Sequence, residues 1–350
     1  MATLTSARVH IRNQLPDGFL DCQARELHGL LDGPTLFELP GKREPPLFVS
    51  ILLHGNEDTG LAAVQRVLCG CAKRPLPRSL MLLVGNIEAA HHGLRRLDDQ
   101  PDYNRIWPGA TDHGETAEAR IMAEVHARVV DRRAVAAVDL HNNSGRNPHY
   151  AVVCNLRPPT LALAALFAPR VVLFRGIPGT QTASFEGLIP AMTAECGLAG
   201  DPANADAAAR FLDAALHLVE RSDQASGGEP LELYHTLGVV RVRPDVRIGF
   251  GSEDAQLRLD PRLDELNFRE LQPGALLGET DHVMPLQMID EAGRDVADDY
   301  FAVSGGSLLL SKQAVPAMLT ADPRIVRQDC LCYLMQRIRS GVHDASGGSR

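Results

Sequence analysis

The chain has 350 residues, a formal net charge of −9 at pH 7, and 45% hydrophobic against 5% aromatic residues. That length suits one large domain or two, with a sizeable core filled mainly by aliphatic side chains. The acidic balance excludes a general nucleic-acid binder, which needs a basic face, although clustered arginines can still receive a small acidic substrate. Residues 1–45 are mixed and punctuated by Pro and Gly, and predict one or two edge strands. Leu47 then opens a stretch to Glu57, LFVSILLHGNE, in which an apolar and β-branched run stops at His54-Gly55-Asn56-Glu57. A short, continuously apolar run closed by Gly reads as a buried parallel strand. Thr59 to Lys73 has helical spacing, with Leu61, Val64, Val67 and Leu68 on one face, and Pro75 and Pro77 end it.

Ser79 to Gly85 predicts the next buried strand, ending at Asn86. A polar stretch follows from Ile87 to Gly114 and carries Arg95, Arg96, Asp98, Asp99, Asp102, Asn104, Arg105 and Trp107. A connection this long in a compact domain is often functional. Thr116 to Arg132 reads as a helix capped by Thr116. Ala134 to Leu140 is a third strand, ending at His141. Tyr150 to Cys154 and Val171 to Phe174 are short strands with a helix, Leu161 to Phe167, between them. Leu188 to Ala194 is a strand ending at Glu195-Cys196-Gly197, with Pro190 placing it near an edge. Asp201 to Glu220 is an amphipathic helix with Asp201 as cap and Pro202 at its first position.

Residues 221–230 (RSDQASGGEP) read as a linker. Beyond it come short strand-like runs, Leu237–Val242, Gln256–Leu259, Ala275–Gly278 and Ser307–Leu310, split by Gly, Pro and Asp. They predict a smaller β-rich domain. The expected division is a catalytic domain over 1–225, a β-rich domain over 231–340, and a disordered tail over 341–350. Seven scattered Cys without a CxxC pair read as reduced thiols in a cytoplasmic protein. The opening residues have no apolar signal core and no apolar run reaches ~18 residues, so neither export nor a membrane span is expected.

In open α/β sheets, ligands bind beyond the carboxyl ends of the strands. Four predicted strand ends carry reactive polar residues: His54/Glu57, Asn86, His141 and Glu195. Two imidazoles and a carboxylate (His54, Glu57, His141) with a water make the usual open catalytic zinc site. Glu195 is then the candidate general base and acid, moving a proton from water to a leaving amine. The loop arginines can hold a substrate carboxylate in a guanidinium fork. Arg105 can also polarise the scissile carbonyl. Asp139, two residues before His141 on the same strand face, is placed to buttress it.

These residues fall into motifs: HGNE at 54–57, N-x-x-A from Asn86 to Ala89, G-L-R at 93–95, D-Y-N-R at 102–105 followed by Trp107-Pro108-Gly109, D-L-H-N at 139–142, and E-C-G at 195–197. In order, over roughly residues 45 to 200, they resemble the zinc carboxypeptidase superfamily, in its succinylglutamate desuccinylase/aspartoacylase branch. The resemblance implies zinc on His54, Glu57 and His141, one ion per chain, with Glu195 as the catalytic carboxylate. It implies Arg95, Asn104 and Arg105 around the substrate, with Arg96 competing for the place of Arg95. It also implies that the second domain narrows access to the site, favouring small N-acyl amino acids. Arg175, after the strand ending at Phe174, is a candidate reader of the acyl group.

The fold class expected is therefore α/β, a phosphorylase/hydrolase-like mixed sheet flanked by helices, with a smaller C-terminal β-rich domain. The expected activity is zinc-dependent hydrolysis of a linear amide in a small, carboxylate-bearing N-acyl amino acid, with neither nucleic acid nor membrane as partner. A metallocarboxypeptidase acting on peptides shares the site but needs an open cleft. A non-catalytic metal- or ligand-binding protein on the same scaffold is the third reading. The acyl group, the amino acid and the oligomeric state stay open.

Overall fold

A computed structural model describes residues 8–72, 74–111, 116–218, 230–251 and 254–338. The first part of the chain contributes strands β1 (His10–Arg12), β2 (Thr35–Leu39), β3 (Leu47–Ile51), β4 (Leu80–Val84), β5 (Ala136–Asn143), β6 (Tyr150–Val153), β7 (Arg170–Leu173), β8 (Ala191–Leu198) and β9 (Glu232–Val242). Its main helices are α1 (Thr59–Gly70), α2 (Ile87–His92), α3 (Ala117–Asp131), α4 (Pro158–Ala165), α5 (Gln181–Ser184) and α6 (Pro202–Leu216). The remainder adds β10 (Ile248–Phe250), β11 (Leu257–Leu259), β12 (Leu276–Thr280), β13 (Leu286–Ile289), β14 (Phe301–Ser304), β15 (Ser307–Leu310), β16 (Val315–Ala317) and β17 (Cys332–Arg337), with short helices α7 (Ala297–Tyr300) and α8 (Pro323–Gln328).

The fold is the expected mixed α/β arrangement with a second β-rich sheet toward the C-terminus. Twelve strands form the large sheet, in the order β1-β2-β4-β3-β5-β8-β6-β7-β9-β17-β16, with β13 also paired to β9. The central strand β3 runs parallel to both β4 and β5, and β5 runs parallel to β8. Every residue of β3 and β4 is buried, which is why both read as unbroken apolar runs. The pleat still divides them. Leu47, Val49 and Ile51 join Leu80, Leu82 and Val84 in a core shared with α1 and α6. Phe48, Met81 and Leu83 face the other way, against Trp107, Phe185 and the apolar stripe of α3. Two layers of helix thus sandwich the sheet, and each layer is specified by alternate residues of one strand.

The five-stranded sheet, β10-β11-β12-β15-β14, packs its own core around Leu257, Leu259, Phe301, Leu308 and Leu310. The strand β9 ties the parts together. Its first residues pair with β7, its last with β13, and β17 lies along 234–240.

Several elements differ in extent from the sequence reading. β8 begins at Ala191, so Pro190 precedes the strand and costs it no ladder bond. Glu195 and His141 sit inside their strands, as directly opposed partners. The helix α2 lies within the stretch taken as irregular, capped by Asn86, whose side chain accepts from Ala89 N. Thr116 and Asp201 both cap as expected, accepting from Ala119 N and Ala203 N. All seven cysteines are free thiols; Cys154, Cys196, Cys330 and Cys332 are buried and Cys69 is exposed. The expected linker, except Pro230, and the expected tail lie outside the described residues. Among the described residues no helix is long and apolar enough to cross a membrane.

Candidate metal centre and active site

The carboxyl ends of β3, β5 and β8 converge on one buried cluster. His54 and Glu57 come from the turn after β3, and that turn is shaped by Gly55. A Cβ there would lie 2.2 Å from Ala90 N, so only glycine lets the turn pack on α2. Glu195 sits on β8 just before Gly197, which has a φ of +72° where the β5–β8 register shifts. The glycine of E-C-G thus makes a bulge that breaks the regular pairing.

His54, Glu57 and His141 are all buried, and each offers a ligand atom within 4.8 Å of the others. The contacts are closer still. His54 Nδ1 is 2.8 Å from Glu57 Oε1, His141 Nδ1 is 2.7 Å from Glu57 Oε2, and the two Nδ1 atoms are 3.1 Å apart. The far nitrogens face carboxylates. His141 Nε2 donates to Asp139 Oδ2 at 2.6 Å, and His54 Nε2 donates to Asp102 Oδ1 at 3.1 Å. Those bonds place the ring protons on Nε2 and leave both Nδ1 lone pairs turned toward Glu57. Four electron-rich atoms, two Nδ1 and both Glu57 oxygens, lie so close that they repel one another unless a proton or a metal cation lies among them. A tetrahedral metal with N and O ligands has ligand–ligand edges of about 3.3 Å, near the observed spacing. The donor set therefore fits a metal ion and could hold one.

The buttresses are themselves held. Asp139, fully buried, accepts from Ser50 Oγ at 2.7 Å on its other oxygen. Asp102 accepts from Asn104 N at 2.8 Å and from Arg95 Nη2 at 3.1 Å. Trp107, with no exposed surface, anchors the loop that carries them, and its indole N–H donates to Tyr103 O at 3.0 Å.

Glu195 lies opposite His141 across the ladder and accepts from Asn143 Nδ2 at 2.6 Å. Burial, reinforced by the nearby Glu57 and Asp139, raises its pKa to about 7 although both imidazoles oppose the shift. A carboxyl poised near neutrality beside a set that could hold a metal can both take and give a proton.

Arg95 is buried; its Nη1 is 3.8 Å from Glu57 Oε1 and its Nη2 is 3.2 Å from Asp329 Oδ2. Arg96 turns away and donates to Leu97 O and Gln100 O. Asn104 accepts from Gln181 N at 2.9 Å, and its Nδ2 is 3.1 Å from His141 Nε2. Arg105 donates to Asn104 O at 2.8 Å and to Asp329 Oδ1 at 3.2 Å. Arg175 is exposed in the loop after β7. Asn86, grouped with the reactive strand ends from sequence, is occupied as a helix cap and as a donor to Gln100 Oε1.

A cavity of about 50 Å³ opens beside Glu57, lined by Asn56, Arg95, Asn143, Met318, Asp329 and Cys330 among others. Three of its lining atoms, Arg95 Nε, Asn56 Oδ1 and Asn143 Oδ1, are buried without a hydrogen-bond partner. Unpaired buried polar atoms gathered at one cavity mark a place for a polar ligand. Met318, at the left-handed φ of 67°, accepts from Tyr150 Oη at 2.9 Å and from Asn143 Nδ2 at 3.3 Å through its sulfur. Sequence reading assigned no role to Asn143, Met318 or Asp329.

A mixed sheet carrying such a His-Glu-His set at its carboxyl edge is the arrangement of zinc carboxypeptidase-like hydrolases. Residues 44–221 match the model of the succinylglutamate desuccinylase/aspartoacylase catalytic domain, and the chain belongs to that family of hydrolytic deacylases. Among solved structures, the chain resembles a succinylglutamate desuccinylase from Vibrio parahaemolyticus, with 16% identity, 84% of this chain and 82% of that chain covered, and a TM-score of 0.58. The Chromobacterium violaceum succinylglutamate desuccinylase is 18% identical, with 85% and 86% covered and a TM-score of 0.55. Murine aminoacylase 3 is also 18% identical, with 85% and 97% covered and a TM-score of 0.55. At these identities the likeness establishes the fold. A search of curated proteins found no match.

Proposed function

We propose that this protein is a zinc-dependent hydrolase of the amide bond in small N-acyl amino acids. One observation carries the reading: two Nδ1 atoms and a carboxylate converge, and each imidazole is backed by its own carboxylate. His54, Glu57 and His141 would hold one zinc ion, which when bound supplies Lewis-acid polarisation and lowers the pKa of water.

The rest of the chemistry belongs to the chain. Glu195 takes a proton from the attacking water and hands it to the departing nitrogen, and Asn143 fixes its orientation through the 2.6 Å bond. Arg95, the guanidinium nearer to Glu57, polarises the carbonyl oxygen together with Arg105. Asn104 ties the loop to the start of α5 by accepting from Gln181 N.

The small cavity and its C-terminal lining, Met318, Ile325, Asp329 and Cys330, support a small substrate over a polypeptide, which needs an open groove. Glu195, buried opposite a ligand-set residue, supports catalysis over passive metal binding. The test is a hydrolysis screen of zinc-loaded protein on N-acyl amino acids and short peptides. Release of free amino acid from the former alone is expected. Cleavage of peptides with N-acyl amino acids untouched would replace this reading with a carboxypeptidase.

A further inference from the structure

The guanidinium pair of Arg95 and Arg105, placed above on the carbonyl oxygen, already holds a carboxylate of the chain itself. Asp329, just after α8, places Oδ1 3.2 Å from Arg105 Nη2 and Oδ2 3.2 Å from Arg95 Nη2. It therefore straddles two arginines in the fork geometry a bound carboxylate would adopt. It also stands in the shared wall of two spaces: the cavity beside Glu57, and an outer cleft of about 490 Å³ lined by Arg96, Arg105, Arg241 and Arg327.

Asp329 is not on a loose strap. Its N–H donates to Ile325 O at 2.9 Å, its carbonyl accepts from Arg241 Nε at 3.0 Å, and Leu331 N donates to Val240 O at 2.8 Å. Cys330 and Leu331 are buried. The carboxylate is thus a permanent counter-ion to the pair.

Local charge sharpens the point. Glu57, Asp102, Asp139, Glu195 and Asp329 stand against Arg95, Arg105 and whatever cation His54 and His141 help to hold. Another carboxylate entering beside Asp329 finds no unneutralised guanidinium and meets like charge in a desolvated space. A single carboxylate at the outer cleft fares better. Arg96, Arg241 and Arg327 there donate to carbonyls, and among the described residues none of the three forms an ion pair, although Asp102 and Asp329 also line the cleft.

We propose that Asp329 sets the substrate class, turning the site away from N-acyl derivatives of acidic amino acids and toward those with neutral or cationic side chains. The proposal rests on reading the site as an N-acyl amino acid hydrolase.

The test compares kcat/KM of zinc-loaded protein for the N-acetyl derivatives of aspartate, glutamate, methionine and lysine (acylated on Nα). Wild type should favour the methionine and lysine derivatives at least tenfold over the acidic pair, and Asp329→Asn should shrink that ratio at least tenfold. A wild-type preference for the acidic pair, or a ratio unmoved by Asp329→Asn, overturns the proposal. A second measurement does not need catalysis. Asp329→Ala opens a carboxylate-sized gap between two guanidiniums, so succinate should raise its melting temperature saturably and leave wild type unmoved. An equal response of both proteins also overturns the proposal. Should Asp329→Ala not fold, the wild-type panel and Asp329→Asn decide. If no derivative is hydrolysed, the hydrolase reading falls, while the succinate response still decides whether Asp329 fills a carboxylate position.

Discussion

Asp139 offers the sharpest test of the metal centre, because it touches the site only through His141. It has no exposed surface, accepts from His141 Nε2 at 2.6 Å and accepts from Ser50 Oγ at 2.7 Å. In Asp139→Asn the amide can turn its oxygen to His141 and its nitrogen to Ser50. The ring keeps its tautomer and loses only the negative charge behind it. In Asp139→Ala nothing holds the Nε2 proton, so the ring can turn and protonate on Nδ1, the atom that faces Glu57. Partners of this kind are worth 10–100-fold in metal affinity. Asp139→Asn should therefore weaken zinc binding about tenfold, roughly 1.4 kcal/mol, and Asp139→Ala about a hundredfold, roughly 2.7 kcal/mol. The alanine variant also leaves the Ser50 hydroxyl only its long bond to Val138 O at 3.4 Å and should lose about 1–3 kcal/mol of metal-free stability. Zinc competition against a calibrated chelator gives the affinities, and urea unfolding of the metal-free proteins gives the stability term. Zinc affinity of Asp139→Ala within twofold of wild type would refute the assignment of His141 as a buttressed ligand.

His141→Ala should reduce zinc from about one ion per chain to none after dialysis; metal analysis showing full retention would remove it from the ligand set. Glu195→Gln should keep its metal and lose roughly 10²–10⁴ in kcat, whereas near-normal turnover would take Glu195 out of the proton relay. The pH profile follows from the same residue. Burial lifts the Glu195 pKa to about 7, and a bound dication draws it down toward the ordinary carboxylate range near ~4.3. As a base it must be ionised, so kcat/KM should hold above that pKa and fall as pH drops through it, with the acid limb between pH ~4.3 and ~7. A limb that stays in place in Glu195→Gln would belong to another group.

Much of the catalytic half was legible because buried parallel strands write themselves as continuous apolar runs. β3 and β4 stand out for that reason, and His54 and Glu57 follow directly after β3. The polar continuation of β5 was not legible: residues 141–143 look like loop, yet His141 and Asn143 pair with β8, with Asn142 at the register shift between them. α2 is six residues long, too short for periodicity to show. The C-terminal strands β10, β13, β14, β16 and β17 escaped because each is short and defined by distant partners. Asp102 was visible as part of D-Y-N-R, but its double grip on His54 and Arg95 exists only once the loop folds. Asp329 left no local mark at all, since it meets Arg105 across 224 residues of sequence.

The passage of β9 through the great sheet constrains how solute reaches the niche of His54, Glu57 and His141. Main-chain bonds join Arg170–Leu173 to Glu232–His235 on one hand and Cys332–Arg337 to Tyr234–Val240 on the other. A clamshell opening between halves would have to unzip one of these ladders. Entry should therefore need no parting of the two halves, only movements of the loops and side chains around the site. Turnover should then fall with molecular girth at the threshold, and the amide hydrogens of β9 should exchange no faster while product is being made.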